Sequence, residues 1–202
     1  KAEIVDMESI NANVANNSSR QIFAKISGLN IWESDCSGIQ LGIGSRGLSP
    51  SRTSNFNVRQ NGYDISADAI GYPDAYYAPP MQALQSIEVV KGAASLQYGT
   101  QFGGLINFKL KEAPKDKKIQ LNTSLTYGTN KYINSFTSLS GTVEKLSYYT
   151  YFQYRKGDCW RCNSEFDSKA AYASVKFQEN EKLSFSLEYS YLNYLAHQPG
   201  GL

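Results

Sequence analysis

Two cysteines spaced by two residues are the most conspicuous reactive groups in this sequence. The segment Cys159-Trp160-Arg161-Cys162 has the spacing of a redox motif or of half a zinc site. Zinc needs four ligands, and the sequence has no second such pair, while the single histidine, His197, could add one ligand at most. A thioredoxin-like motif would need a βαβ setting that the flanking residues do not suggest. We therefore predict a local disulfide between Cys159 and Cys162, with no metal and no cofactor.

Arginines and tyrosines in a loop-rich stretch are the candidates for ligand binding. A guanidinium binds carboxylates through a planar pair of N–H donors, and tyrosine rings can cover a bound chelate. The candidate substrate-binding residues are Arg52, Arg59, Tyr72, Tyr76 and Tyr77. Arg52 is chosen for its loop position, whereas Arg59 lies in a predicted hairpin strand and could equally be structural.

The charge and the remaining residue types argue against a nucleic-acid partner and against an enzyme. The chain has 202 residues, 20 basic and 18 acidic, and the net charge of +2 is too small to indicate nucleic acid as a partner. No Ser-His-acid or paired-carboxylate constellation stands out, so we predict that the protein is not an enzyme. The 15 tyrosines suit β-strands and membrane–water interfaces.

Residues 1–115 have the pattern of a compact α+β domain. Ser18–Gly28 reads as a short amphipathic helix with a serine cap and a glycine stop. Phe56–Ile65 places Asn-Gly between two alternating runs, which predicts a β-hairpin. Ile39–Gly47 predicts a strand, and Ile87–Leu110 predicts two strands joined by a glycine-rich path. That path lacks the Lys-Ser/Thr pair of a phosphate-binding loop, so we interpret its glycines as close backbone packing.

Residues 116–202 alternate apolar and polar residues in long, tyrosine-rich runs. In Leu183–Tyr191 the odd positions are apolar and the even positions are serines and Glu188. We predict five such strands of about ten residues, the length that crosses a bilayer in a tilted β-barrel. A soluble antiparallel sandwich uses the same alternation, but its wet faces usually carry Lys and Glu, whereas these carry Ser, Thr, Asn and Gln. Because a barrel needs about eight strands, the remaining strands should lie beyond residue 202.

Three spaced motifs resemble one known family. Gly44-Ser45-Arg46-Gly47-Leu48, then Asn57–Gly62, then Ile87–Gly92 followed by Gly103–Asn107, are similar in order and wording to the motifs of TonB-dependent outer-membrane transporters. The resemblance identifies residues 1–115 as the plug domain and 116–202 as the first strands of the transmembrane antiparallel β-barrel. Within the family, Arg46–Pro50 is most similar to the ferric dicitrate receptor branch.

The resemblance implies a transport function. It implies active uptake of a nutrient, with a ferric chelate such as ferric citrate as the expected substrate, across the outer membrane of a Gram-negative bacterium through a barrel of about 22 strands. The implied partners are outer-membrane lipids and TonB with ExbB and ExbD, the last three acting through a box that we expect upstream of Lys1. Two alternatives stay open: a glycan importer that works with a surface lipoprotein, and a structural or adhesive barrel without transport.

The resemblance also implies an electrostatic latch, in which basic plug residues pair with barrel glutamates. The candidate latch residues are Arg46, Lys91 and Glu188, the last on the polar face of its strand. Glu188 could instead face only the water of the lumen. Lys91 stands where the family usually has arginine, so it offers a point charge and not a planar fork.

Overall fold

The chain forms two compact units. A computed structural model describes residues 2–16, 18–23, 26–33, 37–66, 74–91, 98 and 101–197. The units comprise residues 1–110 and 111–202. The predicted domain boundary at residue 115 lies in the segment that joins the last strand of the first unit to the first strand of the second.

The first unit is built on a five-stranded sheet with the order β1-β6-β7-β4-β5. Its strands are β1 (Ala2–Asp6), β4 (Phe56–Gln60), β5 (Tyr63–Asp64), β6 (Leu84–Val90) and β7 (Gly104–Leu110). All neighbours are antiparallel except β4 and β7, which run parallel. A separate two-stranded sheet pairs β2 (Leu29–Ile31) with β3 (Ile43–Ser45), and one short helix, α1 (Ser19–Phe23), precedes it.

The turn between β4 and β5 confirms the predicted hairpin. Asn61 and Gly62 have φ angles of 49° and 88°, the left-handed conformation that this turn requires. The Asn61 side chain also accepts from the Leu110 backbone N–H at 3.0 Å, so the turn is fastened to the end of β7.

One predicted strand is much shorter than its sequence suggested. The run Ile39–Gly47 keeps strand pairing only at Ile43–Ser45. The physical reason is that the Thr53 hydroxyl donates to the Leu41 carbonyl and accepts from the Ile43 N–H, so a side chain takes bonds that a strand ladder would use.

Aliphatic and phenylalanine side chains form the core of the first unit. Its fully buried members come from the helix, the strands, the segment before β3 and the turn before β6; the largest are Phe23, Phe56, Phe108, Ile22, Ile39, Leu41, Ile43, Met81, Leu84, Ile87, Ile106 and Val58. Burial of such side chains contributes about 1.5–3 kcal/mol each. This core fixes the sheet from which the loops of the site project.

The second unit is one antiparallel sheet in chain order, β8-β9-β10-β11-β12. Its strands are β8 (Gln120–Tyr127), β9 (Ile133–Val143), β10 (Leu146–Gly157), β11 (Phe166–Asn180) and β12 (Leu183–Ala196). All five predicted strands are present, and β10 and β11, with 12 and 15 residues, are longer than the predicted length because they pair without interruption from Leu146–Phe177 to Gly157–Phe166. No helix in the described part of the chain is long and apolar enough to cross a membrane.

The structure assigns the two strand faces that the sequence left unassigned. In β9 and β10 one face is buried and carries Asn134, Phe136, Ser138, Ser140, Tyr149, Tyr151, Gln153 and Arg155. The rings of Phe136 and Tyr151 stack with centroids 5.7 Å apart, and Tyr151 stacks on Tyr172 of β11 at 5.6 Å. On the opposite face of these two strands, Val143, Leu146 and Phe152 are exposed.

Candidate functional site

A strained backbone segment presents the first candidate arginine. Arg52 and Thr53 have φ angles of 48° and 55°. Left-handed backbone in residues other than glycine costs on the order of 1–3 kcal/mol and persists only where the surroundings hold it. Here the Thr53 side chain, which is fully buried, donates to the Leu41 carbonyl at 2.8 Å and accepts from the Ile43 N–H at 3.2 Å. Thr53 therefore fixes the backbone from which Arg52 projects.

The loop that carries Arg52 is packed tightly against β3. A Cβ atom added at Gly44 would lie 2.5 Å from the Leu48 carbonyl oxygen and 3.0 Å from the Pro50 nitrogen, so only glycine fits beneath the loop. The Asn55 side-chain amide donates to the Ser49 carbonyl at 3.1 Å across the loop. These contacts hold the loop in one conformation under the arginine.

The Arg52 cluster, which we define as Arg52, Asp74 and Tyr76, brings two predicted residues together. Nη1 of Arg52 donates to the Tyr76 hydroxyl at 2.9 Å and lies 3.4 Å from Oδ2 of Asp74. The guanidinium carbon lies 5.2 Å from the centre of the Tyr76 ring, within cation–π range. The Ala75 N–H donates to the Arg52 carbonyl at 2.8 Å, which ties the two loops through their backbones as well. The side chain of Arg52 is 46% exposed and that of Asp74 is 18% exposed.

Sequence reasoning missed Asp74. Its acidic side chain lies two residues before the predicted Tyr76, and this position beside the candidate tyrosines was the signal that could have identified it. Tyr77 lies beside the cluster in sequence, but its hydroxyl donates to Oε1 of Gln60 on β4 at 2.9 Å. Tyr72 lies outside the described residues.

The guanidinium of Arg59 donates hydrogen bonds to its own hairpin and to Tyr98. Nε donates to the Asn57 side chain at 2.6 Å, Nη1 to the Gly62 carbonyl at 2.8 Å and Nη2 to the Tyr98 carbonyl at 3.1 Å. Its guanidinium carbon also lies 5.1 Å from the Tyr98 ring centre. All three nitrogens are thus bonded to the protein, which is the structural role that the sequence left open beside the ligand role.

One candidate latch residue, Lys91, has an acidic partner within the first unit. Nζ of Lys91 lies 2.9 Å from Oε1 of Glu3 on β1 and also donates to the Ser27 carbonyl. Arg46 is exposed, in a turn with a φ angle of 55°. Glu188 lies opposite Ser174 of β11 in the sheet register. The latch between plug and barrel stays a prediction.

The predicted Cys159–Cys162 disulfide is wrong. Cys159 is disulfide-bonded, whereas Cys162 is an exposed free thiol, so the two do not bond to each other. The backbone is left-handed at Cys159, with a φ angle of 58°, and again at Asn163, with 56°. The path of the loop, and not the two-residue spacing, decides where each sulfur points.

One ion pair and one histidine–carboxylate contact join residues of the loops next to these cysteines. Nζ of Lys131 lies 2.6 Å from Oδ2 of Asp158, and this charged hydrogen bond raises the pKa of Lys131. Nδ1 of His197 lies 2.8 Å from Oε1 of Glu165. The pKa of Glu165 is lowered, first by its own backbone N–H and then by the hydrogen bond to His197. Among the described residues, no three His, Cys, Asp or Glu side chains come together as a metal site.

A family model and solved structures match this arrangement. The model described as TonB-dependent Receptor Plug Domain matches residues 1–105. The unliganded ferric citrate transporter FecA shares 22% identity with a TM-score of 0.82, over 100% of this chain and 32% of that one. The copper transporter OprC shares 14% sequence identity with a TM-score of 0.80, over 98% of this chain and 32% of that one. The siderophore receptor PirA from Acinetobacter baumannii shares 18% sequence identity with a TM-score of 0.69, over 94% of this chain and 31% of that one.

These likenesses establish the architecture. At such identities the solved structures show the fold alone: a plug domain followed by the N-terminal strands of a barrel, mostly sheet with few helices, as the sequence predicted. The chain spans about a third of the length of the structures that it matches.

Proposed function

The chain belongs to the TonB-dependent receptor family, and on that premise we propose that it forms the plug and first barrel strands of an outer-membrane transporter for ferric chelates that carry carboxylates, such as ferric citrate. The family consists of transporters and not of enzymes, in agreement with the prediction from the sequence. The proposed location is the outer membrane of a Gram-negative bacterium. The proposed partners are TonB with ExbB and ExbD, which would supply the energy.

The observation that carries the substrate class is the Arg52 cluster. A half-exposed guanidinium stands on a rigid, strained loop beside a tyrosine ring. Within the part of the chain that the structure describes, only Nη1 of Arg52 has a hydrogen-bond acceptor. Nε and Nη2 are therefore available to a carboxylate, which two parallel N–H donors bind in a planar fork.

The exposed faces of the second unit support the membrane location. Along β12 the odd positions are exposed and, except for Asn193, apolar or aromatic: Leu183, Phe185, Leu187, Tyr189, Tyr191 and Leu195. The even positions of the same strand include Ser184, Ser186, Glu188 and Ser190. A soluble sheet would normally bury the apolar face, whereas a barrel strand turns it towards lipid.

Uptake of iron-55 citrate in an iron-limited strain that lacks the gene tests this proposal. Complementation with the wild-type gene should restore uptake. Arg52→Gln should lower uptake at limiting substrate by about tenfold or more, because hydrogen bonds between charged groups are worth about 1.5–3 kcal/mol. Arg20→Gln is the matched control: it removes another exposed arginine of the same unit, whose Nε lies 4.0 Å from Oε2 of Glu33.

Two outcomes would contradict the proposal. Normal ferric citrate uptake in the strain without the gene would show that ferric citrate is not the substrate. Equal losses of uptake in the Arg52 and Arg20 variants would show that Arg52 has no specific role in binding. Outer-membrane content of each variant, measured by immunoblot, separates loss of binding from loss of protein.

A further inference from the structure

We propose that Asp74 competes internally for Arg52, so that only ligands presenting two coplanar oxygens displace it from the Arg52 cluster. This inference rests on the proposed function, because it concerns how the same site chooses its ligand. It assigns to Asp74 a part in specificity that the sequence did not indicate.

The distances show that Asp74 holds Arg52 weakly. Charge-assisted N–H···O bonds are typically about 2.7–2.9 Å long. Oδ2 of Asp74 lies 3.4 Å from Nη1 of Arg52 and 3.2 Å from the Tyr76 hydroxyl, so both contacts are long. Since the Arg52 side chain is also 46% exposed, water screens the pair and limits its contribution.

The arrangement of the N–H donors explains why a carboxylate that binds through both oxygens would displace Asp74 from Arg52. One oxygen of Asp74 faces one nitrogen of Arg52, so the pair uses a single donor of the guanidinium. A carboxylate with both oxygens in the guanidinium plane would engage two donors at once and gain geometric fit as well as charge. A ligand with a single oxygen offers no more than Asp74 does. A neutral ligand also lacks the charge that would compensate Arg52 on displacement of Asp74.

The backbone keeps the site assembled while the side chains exchange. The Ala75 N–H bond to the Arg52 carbonyl does not involve the guanidinium. The buried Thr53 hydroxyl holds the strained backbone from below. Arg52 can therefore change its acceptor from Asp74 to a ligand without loss of the loop conformation.

A double-mutant comparison of binding tests the inference. Equilibrium binding of iron-55 citrate is measured on outer membranes that contain the complete receptor as wild type, Asp74→Asn, Arg52→Gln and the double variant. Asp74→Asn should bind about two- to fivefold more tightly, the change expected for removing an exposed ion pair that competes with the ligand. In the Arg52→Gln background, the same change at residue 74 should have no effect, because there is no guanidinium left to release.

A neutral ferric tris-hydroxamate is the control ligand, and Asp74→Asn should leave its binding unchanged. If Asp74→Asn lowers the amount of receptor in the membrane, Asp74→Ser removes the same charge and is measured in its place. Receptor content is determined for every variant, and binding is expressed per receptor.

The outcomes distinguish this inference from the function on which it rests. If the wild type does not bind ferric citrate, the proposed function and the inference both fall. If the wild type binds it and Asp74→Asn weakens binding or leaves it unchanged, only the inference falls. Tighter binding that persists in the Arg52→Gln background would likewise overturn it, because general charge repulsion would then explain the effect.

Discussion

Two arginines of the first unit, seven residues apart in the sequence, use their guanidinium groups in opposite ways. Arg59 donates from all three nitrogens to acceptors of its own hairpin and of Tyr98. Arg52 donates from Nη1 alone, to two partners of one neighbouring loop. Both also lie over a tyrosine ring at similar distances, 5.1 and 5.2 Å.

This difference is the one we expect between an arginine that stabilises the fold and one that binds a ligand. The cation–π contact does not distinguish them, since both have one. The number of donors that remain available does, because a donor that already has a protein acceptor offers a ligand no net hydrogen bond. The comparison predicts that substitution at Arg59 costs stability and that substitution at Arg52 costs binding.

The largest effect is expected at Thr53, which holds the backbone beneath Arg52. Thr53→Val keeps the shape but removes the hydroxyl, leaving the Leu41 carbonyl and the buried Ile43 N–H without that partner. We expect the free energy of local unfolding to fall by about 3 kcal/mol, since each unsatisfied buried group costs about 1–3 kcal/mol. Hydrogen exchange of the Ile43 amide in the complete receptor measures it. Thr53→Ser retains the hydroxyl and should exchange at the wild-type rate; equal exchange in the two variants would show that the hydroxyl does not hold the loop.

A smaller loss of stability is expected at Arg59. Arg59→Met keeps much of the side-chain length but removes the three donated hydrogen bonds. We expect the hairpin to lose about 1–2 kcal/mol, because net hydrogen bonds at partly exposed sites are individually modest. Exchange of the Ile65 amide, which donates to the Val58 carbonyl at 2.9 Å, reports on this hairpin. Unchanged exchange together with weaker ferric citrate binding would reverse the roles assigned to the two arginines.

The smallest effect on stability is expected at Arg52 itself. Arg52→Gln should change local stability by less than about 1 kcal/mol, because its half-exposed side chain makes one long contact to Asp74 and one hydrogen bond to the Tyr76 hydroxyl, and contacts of exposed charged groups contribute little. Exchange of the Ala75 amide, bonded to the Arg52 carbonyl, measures it. Faster exchange comparable to that of the Thr53→Val variant would mean that Arg52 stabilises the loop, and the contrast with Arg59 would be lost.

Several features of the structure followed from local sequence. The Asn61-Gly62 hairpin lies where the pattern predicted it, and all five strands predicted for the second unit are present. Turn chemistry and apolar alternation are decided by neighbouring residues, so they can be read without knowledge of the fold. The order of the three motifs likewise indicated the family, which the plug-domain match then established.

The candidate site depended on contacts between distant residues. Arg52 and Tyr76 were predicted to bind ligand, but their joining with Asp74 bridges 22 residues of sequence. The truncation of the Ile39–Gly47 strand depends on Thr53, and the error over the cysteine pair depends on the path of a loop. None of these follows from local periodicity.

The sequence by itself thus determined the family, most of the secondary structure and the residue types available for binding. Only the tertiary structure decided which arginine keeps donors available and which acid stands beside it. The reason is that hydrogen-bond acceptors are supplied by whatever the fold brings near, and for Arg59 one of them is the carbonyl of Tyr98, 39 residues away.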